Sequence, residues 1–197
     1  MRIINLTENS KLYTSNVFLV LGEWNTTADL TTLIDVGYDP QIIHKIENMN
    51  MGLGKKKIDQ VILTHSHSDH VAILPAIKEA FNPTICAFNS YLKGIDRILL
   101  DESTIRIGEQ YFEVFHITAH SYDSICLYCE SEGILFAGDT NFPIDFENAV
   151  MKQENEYAIS RLTGRKITKV YSGHGPIQDY SNREFKLIKE ENKLFNT

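Results

Sequence analysis

The sequence predicts an α/β fold in which a sheet core is covered by helices. Two observations carry that prediction. Short apolar runs rich in branched residues, bounded by turn-forming residues, recur along the chain and read as strands. Segments with apolar residues at helical spacing fall between them and at the C-terminal end, and such mixing places helices on sheet faces. The 197 residues, read as one domain over 1–197, are enough to bury a sizeable core. No repeat, low-complexity segment or Pro/Gly/Ser-rich linker divides them.

Taken in order, "NVFLVLG" (Asn16 to Gly22) reads as a buried strand and "LTTLIDVG" (Leu30 to Gly37) as its partner. "EWNTTAD" between them has turn composition, so the pair is expected to be a hairpin with a long tip. "DPQIIHKIENM" reads as a helix with Asp39 as N-cap, Pro40 at the first position, and Ile42, Ile43, Ile46 and Met49 at helical spacing. Gly52 and Gly54 would stop it. "DQVILT" (Asp59 to Thr64) reads as a central strand, and "LPAIKEAF" as a short helix with Pro75 in its first turn. "TICAF" is expected to be a strand and "SYLKGID" a short helix. "TIRIG", "QYFEVFHI", "SICLYCE" and "GILFAGD" read as successive strands, "FENAVMKQENEYAISRLT" as a helix, "KVYSG" as a last core strand, and "REFKLIKEENKLF" as a closing helix.

Composition narrows the function. The formal net charge of −7 argues against a broad nucleic-acid surface, which needs clustered Lys and Arg. It leaves room for a small anionic substrate, because a metal centre supplies local positive charge. No apolar run approaches the ~18 residues of a membrane span. The N-terminus "MRIINLTENSKLYTS" lacks the apolar core and cleavage site of a signal peptide. The expected location is therefore cytoplasmic, with a small molecule as partner, no nucleic acid and no membrane; homo-oligomerisation stays open. Cys86, Cys126 and Cys129 do not suggest a disulfide framework. Cys126 and Cys129 are three apart on a strand and would point to opposite faces, so neither a redox pair nor a zinc pair is expected.

The chemistry concentrates in "VILTHSHSDH" (Val61 to His70). His65, His67, Asp69 and His70 follow one inferred strand. His120 follows a second, Asp139 a third and His174 a fourth. Five of the seven histidines are in this set, each just past the C-terminal end of a strand, where loops converge on one rim and ligands bind. A solvated polar loop would not repeat at four strand ends, and structural zinc is usually closed and Cys-rich. One ion cannot use so many donors, whereas two ions sharing a carboxylate can. Residues two apart in extended chain point the same way, so His65 and His67 can grip one ion, with Asp69 and His70 turned toward a second.

"HSHSDH" resembles the HxHxDH signature of the metallo-β-lactamase superfamily. "LIDVG" (Leu33 to Gly37), "TAHSYDS" around His120, "FAGDT" around Asp139 and "SGHG" around His174 resemble its other motifs in the same order, from about Asn16 to Gly175. The usual "PGH" is "TAH" here, which changes the turn and keeps the ligand. The resemblance implies a four-layer αββα sandwich with a two-metal site on one edge. It implies that His65, His67 and His120 hold one ion, Asp69, His70 and His174 the other, and that Asp139 bridges. The metals would be zinc, with iron or manganese as alternatives. With two carboxylates and a bridging hydroxide, the centre would keep about one positive charge, enough to lower the pKa of bound water toward ~7 and to stabilise an oxyanion.

Of the superfamily's branches, the glyoxalase II-like hydrolases have the most similar ligand set, although only about twenty residues follow His174, where those enzymes carry a helical domain. The lactone-opening members place a tyrosine where Phe142 stands in "GDTNF". The resulting expectation is a metallo-hydrolase of a small thioester, lactone or similar ester, with Asp69 also shuttling a proton. Two alternatives stand beside it. His65, His120 and Asp139 form the two-histidine, one-carboxylate set of a mononuclear non-haem iron sulfur (persulfide) dioxygenase, and a non-catalytic metal-binding module would use the same ligands. Asp35 either supports the ligand loops or is an ordinary buried turn aspartate. Trp24 at the hairpin tip is read as an aromatic lid, a partly exposed packing residue or a dimer contact. His44 is read as a surface histidine, His116 as a strand residue near the pocket, and Lys55 to Lys57 as a solvated turn.

Overall fold

The apolar runs of the sequence become strands covered on both faces, because the chain builds two sheets and stacks them. The computed structural model describes residues 1–23, 26–51, 54–89, 91–142 and 153–187. Its elements in chain order are β1 (Arg2–Asn5), β2 (Phe18–Leu21), β3 (Thr32–Ile34), α1 (Gln41–Asn48), β4 (Gln60–Ile62), α2 (Ser68–Val71), α3 (Leu74–Phe81), β5 (Thr84–Ala87) and β6 (Arg97–Ile98). Then come β7 (Thr104–Ile107), β8 (Gln110–His116), β9 (Ile125–Cys129), β10 (Ile134–Gly138), α4 (Gln153–Leu162), β11 (Lys169–Ser172) and β12 (Gln178–Asp179).

The first sheet takes its strands in chain order, β1 to β6; the second runs β12-β11-β10-β9-β8-β7. In the first, β1, β2 and β3 are antiparallel and β3 to β6 parallel. In the second, β7 to β10 are antiparallel, β10 and β11 parallel, and β11 and β12 antiparallel. The hairpin expected from β2 and β3 is present, with Phe18 opposite Ile34 and Val20 opposite Thr32.

Side-chain alternation then separates three cores. On the outer face of the first sheet, Leu19, Leu21, Leu33, Val61 and Ile85 pack with Ile42 and Ile46 of α1 and Leu74 and Ile77 of α3. Between the sheets, Phe18, Val20, Ile34 and Ile62 meet Phe112, Ile125, Leu127 and Phe136. On the outer face of the second sheet, Phe115, Tyr128 and Leu135 pack with Ala158, Ile159 and Leu162 of α4. Helix, sheet, sheet and helix make the expected four layers. Truncating one central contact such as Leu127, which is wholly buried, would cost about 2–5 kcal/mol. Cys126 lies in the outer core and Cys129 in the central one; all three cysteines are free and buried.

Charge fixes α4 in place. Arg161 pairs with Asp101 (2.7 Å) and Glu113 (3.2 Å), and its guanidinium sits 4.5 Å from the centre of the Phe115 ring. Arg165 pairs with Glu113 (2.9 Å) and Glu130 (3.0 Å).

Several local expectations need correction. Pro40 occupies the N-cap position of α1, one residue earlier than its spacing suggested, and Asp39 Oδ1 accepts the Gln41 N–H at 3.0 Å. Lys57 is no mere part of a solvated turn: its Nζ donates to the carbonyls of Glu47 (2.8 Å) and Met49, closing the end of α1. The helix expected at "SYLKGID" is a turn over 91–96. Local side-chain bonds compete there: Asn89 Oδ1 accepts the Tyr91 N–H, Asp96 Oδ2 accepts the Ile85 N–H, and Lys78 binds both Gly94 O and Asp96. The closing helix is not helical over 183–187, where Phe185 packs on Phe142 and Tyr180; its remainder lies outside the described residues. So do Trp24 and residues 146–152 of the helix that the structure describes from Gln153. Sequence periodicity missed the short β1, β6, β12 and α2.

Candidate metal centre

Four strands of the two sheets end on one rim, and each delivers donors. The segment after β4 supplies His65, His67, Asp69 and His70; β8 leads to His120, β10 to Asp139 and β11 to His174. Backbone bonds stitch these loops together. Val36 and Gly37 N–H groups donate to His70 O (2.9 and 3.0 Å), Ile125 N–H to Thr64 O (2.9 Å), and Gly173 N–H to Gly138 O (2.6 Å). Ser15 N–H donates to Asp69 O (3.1 Å) and Asn16 N–H to Gly173 O (2.6 Å). Close approach fixes one residue type: a Cβ at Gly173 would lie 2.1 Å from Asp139 Oδ1 and 2.7 Å from His70 Cε1.

All seven sequence-predicted donors meet. Ligand atoms of His65, His67 and His120 lie within 4.8 Å of one another, as do those of Asp69, His70 and His174, and those of His65, His70 and Asp139. Asp139 stands between the first two groups. Its Oδ2 is 3.9 Å from His65 Nε2, 3.5 Å from His120 Nε2 and 3.6 Å from His174 Nε2, and its Oδ1 is 3.2 Å from His70 Nε2. Asp69 Oδ2 is 3.0 Å from His174 Nε2, and His67 Nδ1 is 2.9 Å from His120 Nε2. His65 and His70 form a buried floor; His67 and His120 are exposed at the mouth. A cleft of about 180 Å³ opens beside them, lined by His120, Asp139, Asn141, Ser172 and His174.

The donor set fits metal ions on three observations. Among the described residues, His65 Nε2 is buried without a hydrogen-bond partner, and His70 Nε2 and Asp139 Oδ1 are buried with only each other near, 3.2 Å apart, a costly state that a shared cation would relieve. The far nitrogens of the two buried imidazoles are already occupied. Asp35 Oδ2 faces His70 Nδ1 at 2.8 Å, and Thr64 Oγ1 faces His65 Nδ1 at 3.1 Å, so both rings turn Nε2 toward the site. Five imidazoles and two carboxylates with no thiolate suit zinc, iron or manganese.

The charges of the protein alone are consistent with a site built for cations. Burial pushes the His65 pKa down to about 4, helped by the neighbouring His70 charge. For His70 burial also lowers the pKa, but the Asp35 and Asp139 carboxylates outweigh it and raise the value to about 10. Burial disfavours the Asp139 carboxylate, yet His70, His174 and His65 bring its pKa down to about 2. His120 is lowered, chiefly by burial. A protonated His70 stands in for positive charge that a bound ion would supply, with the ion replacing the Nε2 proton.

Asp35 proves to be a supporting residue. It is 2% exposed, adopts φ +58°, and accepts from Thr64 N–H, Thr64 Oγ1–H and His70 Nδ1–H, each at 2.8 Å. Through Thr64 it orients His65 and directly it orients His70, one candidate donor in each group. Thr64, Asn16 and Asp123 were not singled out in the sequence. Asn16 Nδ2 donates to Ser172 O and Gly175 O (2.9 Å each), holding the His174 loop. Asp123 accepts from Ser121 Oγ (2.9 Å) and Asn89 Nδ2 (3.1 Å), holding the His120 loop. Small polar residues flanking each ligand were the available signal. His116 is half-buried, stacked on Phe88 at 3.7 Å, and its Nε2 contacts Tyr122 O at 2.7 Å. His44 is exposed on α1 and pairs with Glu47.

A family model described as the metallo-beta-lactamase superfamily matches residues 11–174. A hydroxyacylglutathione hydrolase of Chromohalobacter salexigens is 30% identical over 117 residues, 58% of this chain and 44% of that protein. The chain thus spans under half the length of that relative. A probable metallo-hydrolase of Methanocaldococcus jannaschii is 28% identical over 195 residues, covering 85% of this chain and 90% of that protein. Among solved structures, ETHE1 from Myxococcus xanthus aligns over 92% of this chain and 80% of its own, with a TM-score of 0.69 and 19% identity.

Proposed function

The chain belongs to the metallo-beta-lactamase superfamily, and from that premise we propose that it is a two-metal hydrolase of a small thioester, with lactones and similar esters as the adjoining substrate class. The observation that carries this reading is Asp139, set 3.2–3.9 Å from imidazoles of both donor groups, with a buried Oδ1 whose one near polar neighbour among the described residues is His70 Nε2. Relatives named hydroxyacylglutathione hydrolase support the thioester. His65, His67 and His120 would hold one ion, Asp69, His70 and His174 the other, and Asp139 both. Bound there, two divalent ions, zinc in the first instance, supply a water of lowered pKa and positive charge against a developing oxyanion.

The protein's own residues supply the rest. Asp35 and Thr64 hold the two buried imidazoles in the tautomer that leaves Nε2 free. The buried His65 and His70 close the site from behind, so a carbonyl enters only from the side of His67, His120 and the cleft. Asp69 is half-buried beside His174, placed to pass a proton to a departing thiolate or alkoxide.

Metal analysis joined to a thioester, lactone and phosphodiester panel tests the reading. The expected result is close to two zinc or manganese ions per chain with thioester turnover, and loss of both in Asp139→Ala. Full activity after metal removal would overturn it. Single iron with persulfide-dependent oxygen uptake would replace it by the dioxygenase, and metal-loaded protein inert across the panel by a binding module.

A further inference from the structure

Tyr13 is 79% exposed, yet its ring lies nearly parallel to that of His174, with centroids 5.5 Å apart and planes 17° from parallel. The residues that follow it are tied to both loops bearing the Asp69–His174 ligands. Thr14 Oγ1 accepts the Tyr38 N–H (2.8 Å), Ser15 N–H donates to Asp69 O (3.1 Å), and Asn16 binds Gly173 O, Ser172 O and Gly175 O. A large ring therefore lies on a residue that lines the cleft, with most of its surface left in water. Core packing does not account for it, since the ring belongs to none of the three cores. The other side of the site also carries an exposed aromatic ring. Tyr122, two residues past His120, is 68% exposed, and its carbonyl contacts His116, whose ring is stacked on Phe88.

We propose that Tyr13 is a specificity-determining residue whose ring receives a flat, apolar substituent of the substrate on the His174 side of the cleft. The preferred substrate is then an aryl-bearing thioester over a short alkyl one. The word thioester rests on the hydrolase reading; the preference for an aryl group does not. One aromatic contact changes affinity by roughly three- to tenfold, and because the ring touches no reacting atom the effect belongs in KM rather than kcat.

The test uses metal-loaded protein with Tyr13, Tyr13→Phe and Tyr13→Ala. Calorimetry compares binding of phenylacetate with acetate, and kinetics compare phenylacetyl with acetyl thioesters of one thiol. The expected result is a roughly three- to tenfold fall in the aryl-over-acetyl ratio in Tyr13→Ala, seen in Kd and KM, with the ratio kept in Tyr13→Phe. Metal content and Tm stay the same in all three. An unchanged ratio overturns the proposal. So does loss of metal in Tyr13→Ala, which would make the ring a support for His174. If no thioester turns over, the hydrolase reading fails while the carboxylate Kd values still decide the role of Tyr13.

Discussion

Replacing Asp35 by asparagine should weaken metal binding without touching any proposed ligand. The substitution is nearly isosteric, and asparagine tolerates the φ of +58° found there. The amide oxygen can keep the Thr64 N–H. The amide nitrogen then faces two groups that now donate to a carboxylate, Thr64 Oγ1–H and His70 Nδ1–H. Each such charge-assisted bond contributes about 1.5–3 kcal/mol, and rotation of the Thr64 hydroxyl recovers about 1. The net loss for the metal-free protein is about 2–5 kcal/mol, or a Tm roughly 4–20 °C lower in a domain of this size. The larger consequence is the tautomer. To accept from the new N–H, His70 must move its proton to Nε2, the atom aimed at the Asp69–His174 site. Supporting partners of this kind change metal affinity by about 10- to 100-fold. Thermal melts of chelator-treated protein give the first quantity, and competition with a chromophoric chelator gives the second. If Asp35→Asn binds both ions within twofold of the native protein, the orienting role assigned to Asp35 is wrong.

Three other outcomes follow from the same geometry. Gly173→Ala places a methyl 2.1 Å from Asp139 Oδ1, so Asp139 must move; metal content should drop well below two ions per chain while far-ultraviolet dichroism stays native. Arg161→Ala removes two ion pairs and the contact with Phe115; with the side chain only 14% exposed, Tm should fall by the equivalent of about 1–3 kcal/mol with metal content unchanged. Metal-free protein should be most stable near neutral pH. His65, with its folded pKa at about 4, disfavours the folded state progressively as pH falls from about 6.5 toward 4. His70, with its folded pKa at about 10, stabilises fully below about 6.5 and loses that contribution as pH rises through 10. Chelator-treated melts from pH 4 to 10 would contradict this if Tm were flat across the range.

The sequence made a helix-covered sheet core and the donors legible because both rest on strong local signals, whereas the four-layer order came from the resemblance of the motifs. Val61 and Leu63 point to the helices while Ile62 points to the other sheet, and such two-sided burial leaves an unbroken apolar run that is easy to read. The ligands were readable because His and Asp just past a strand have few structural uses. β1, β6, β12 and α2 were not. β6 and β12 have two residues each, too few for any period, and α2 carries polar residues that serve the site rather than a core. The turn at 91–96 was misread because "SYLKGID" has helical composition, while the bonds that unwind it come from Lys78 and Asn89, outside the segment. Asp35 was ambiguous since its three donors come from residues about thirty positions away.

The two sheets divide the polypeptide cleanly, residues 2–98 building one and residues 104–179 the other. Neither half owns a complete coordination group: His65 and His67 wait for His120, and Asp69 and His70 wait for His174. In the proposed centre an emerging nascent chain would therefore not load its ions strand by strand. Capture would come last, once the second half has docked, and the ions would then act as rivets across the seam. Two co-expressed fragments cut between Leu99 and Ser103 would be expected to reassemble far more tightly in the presence of zinc than in its absence.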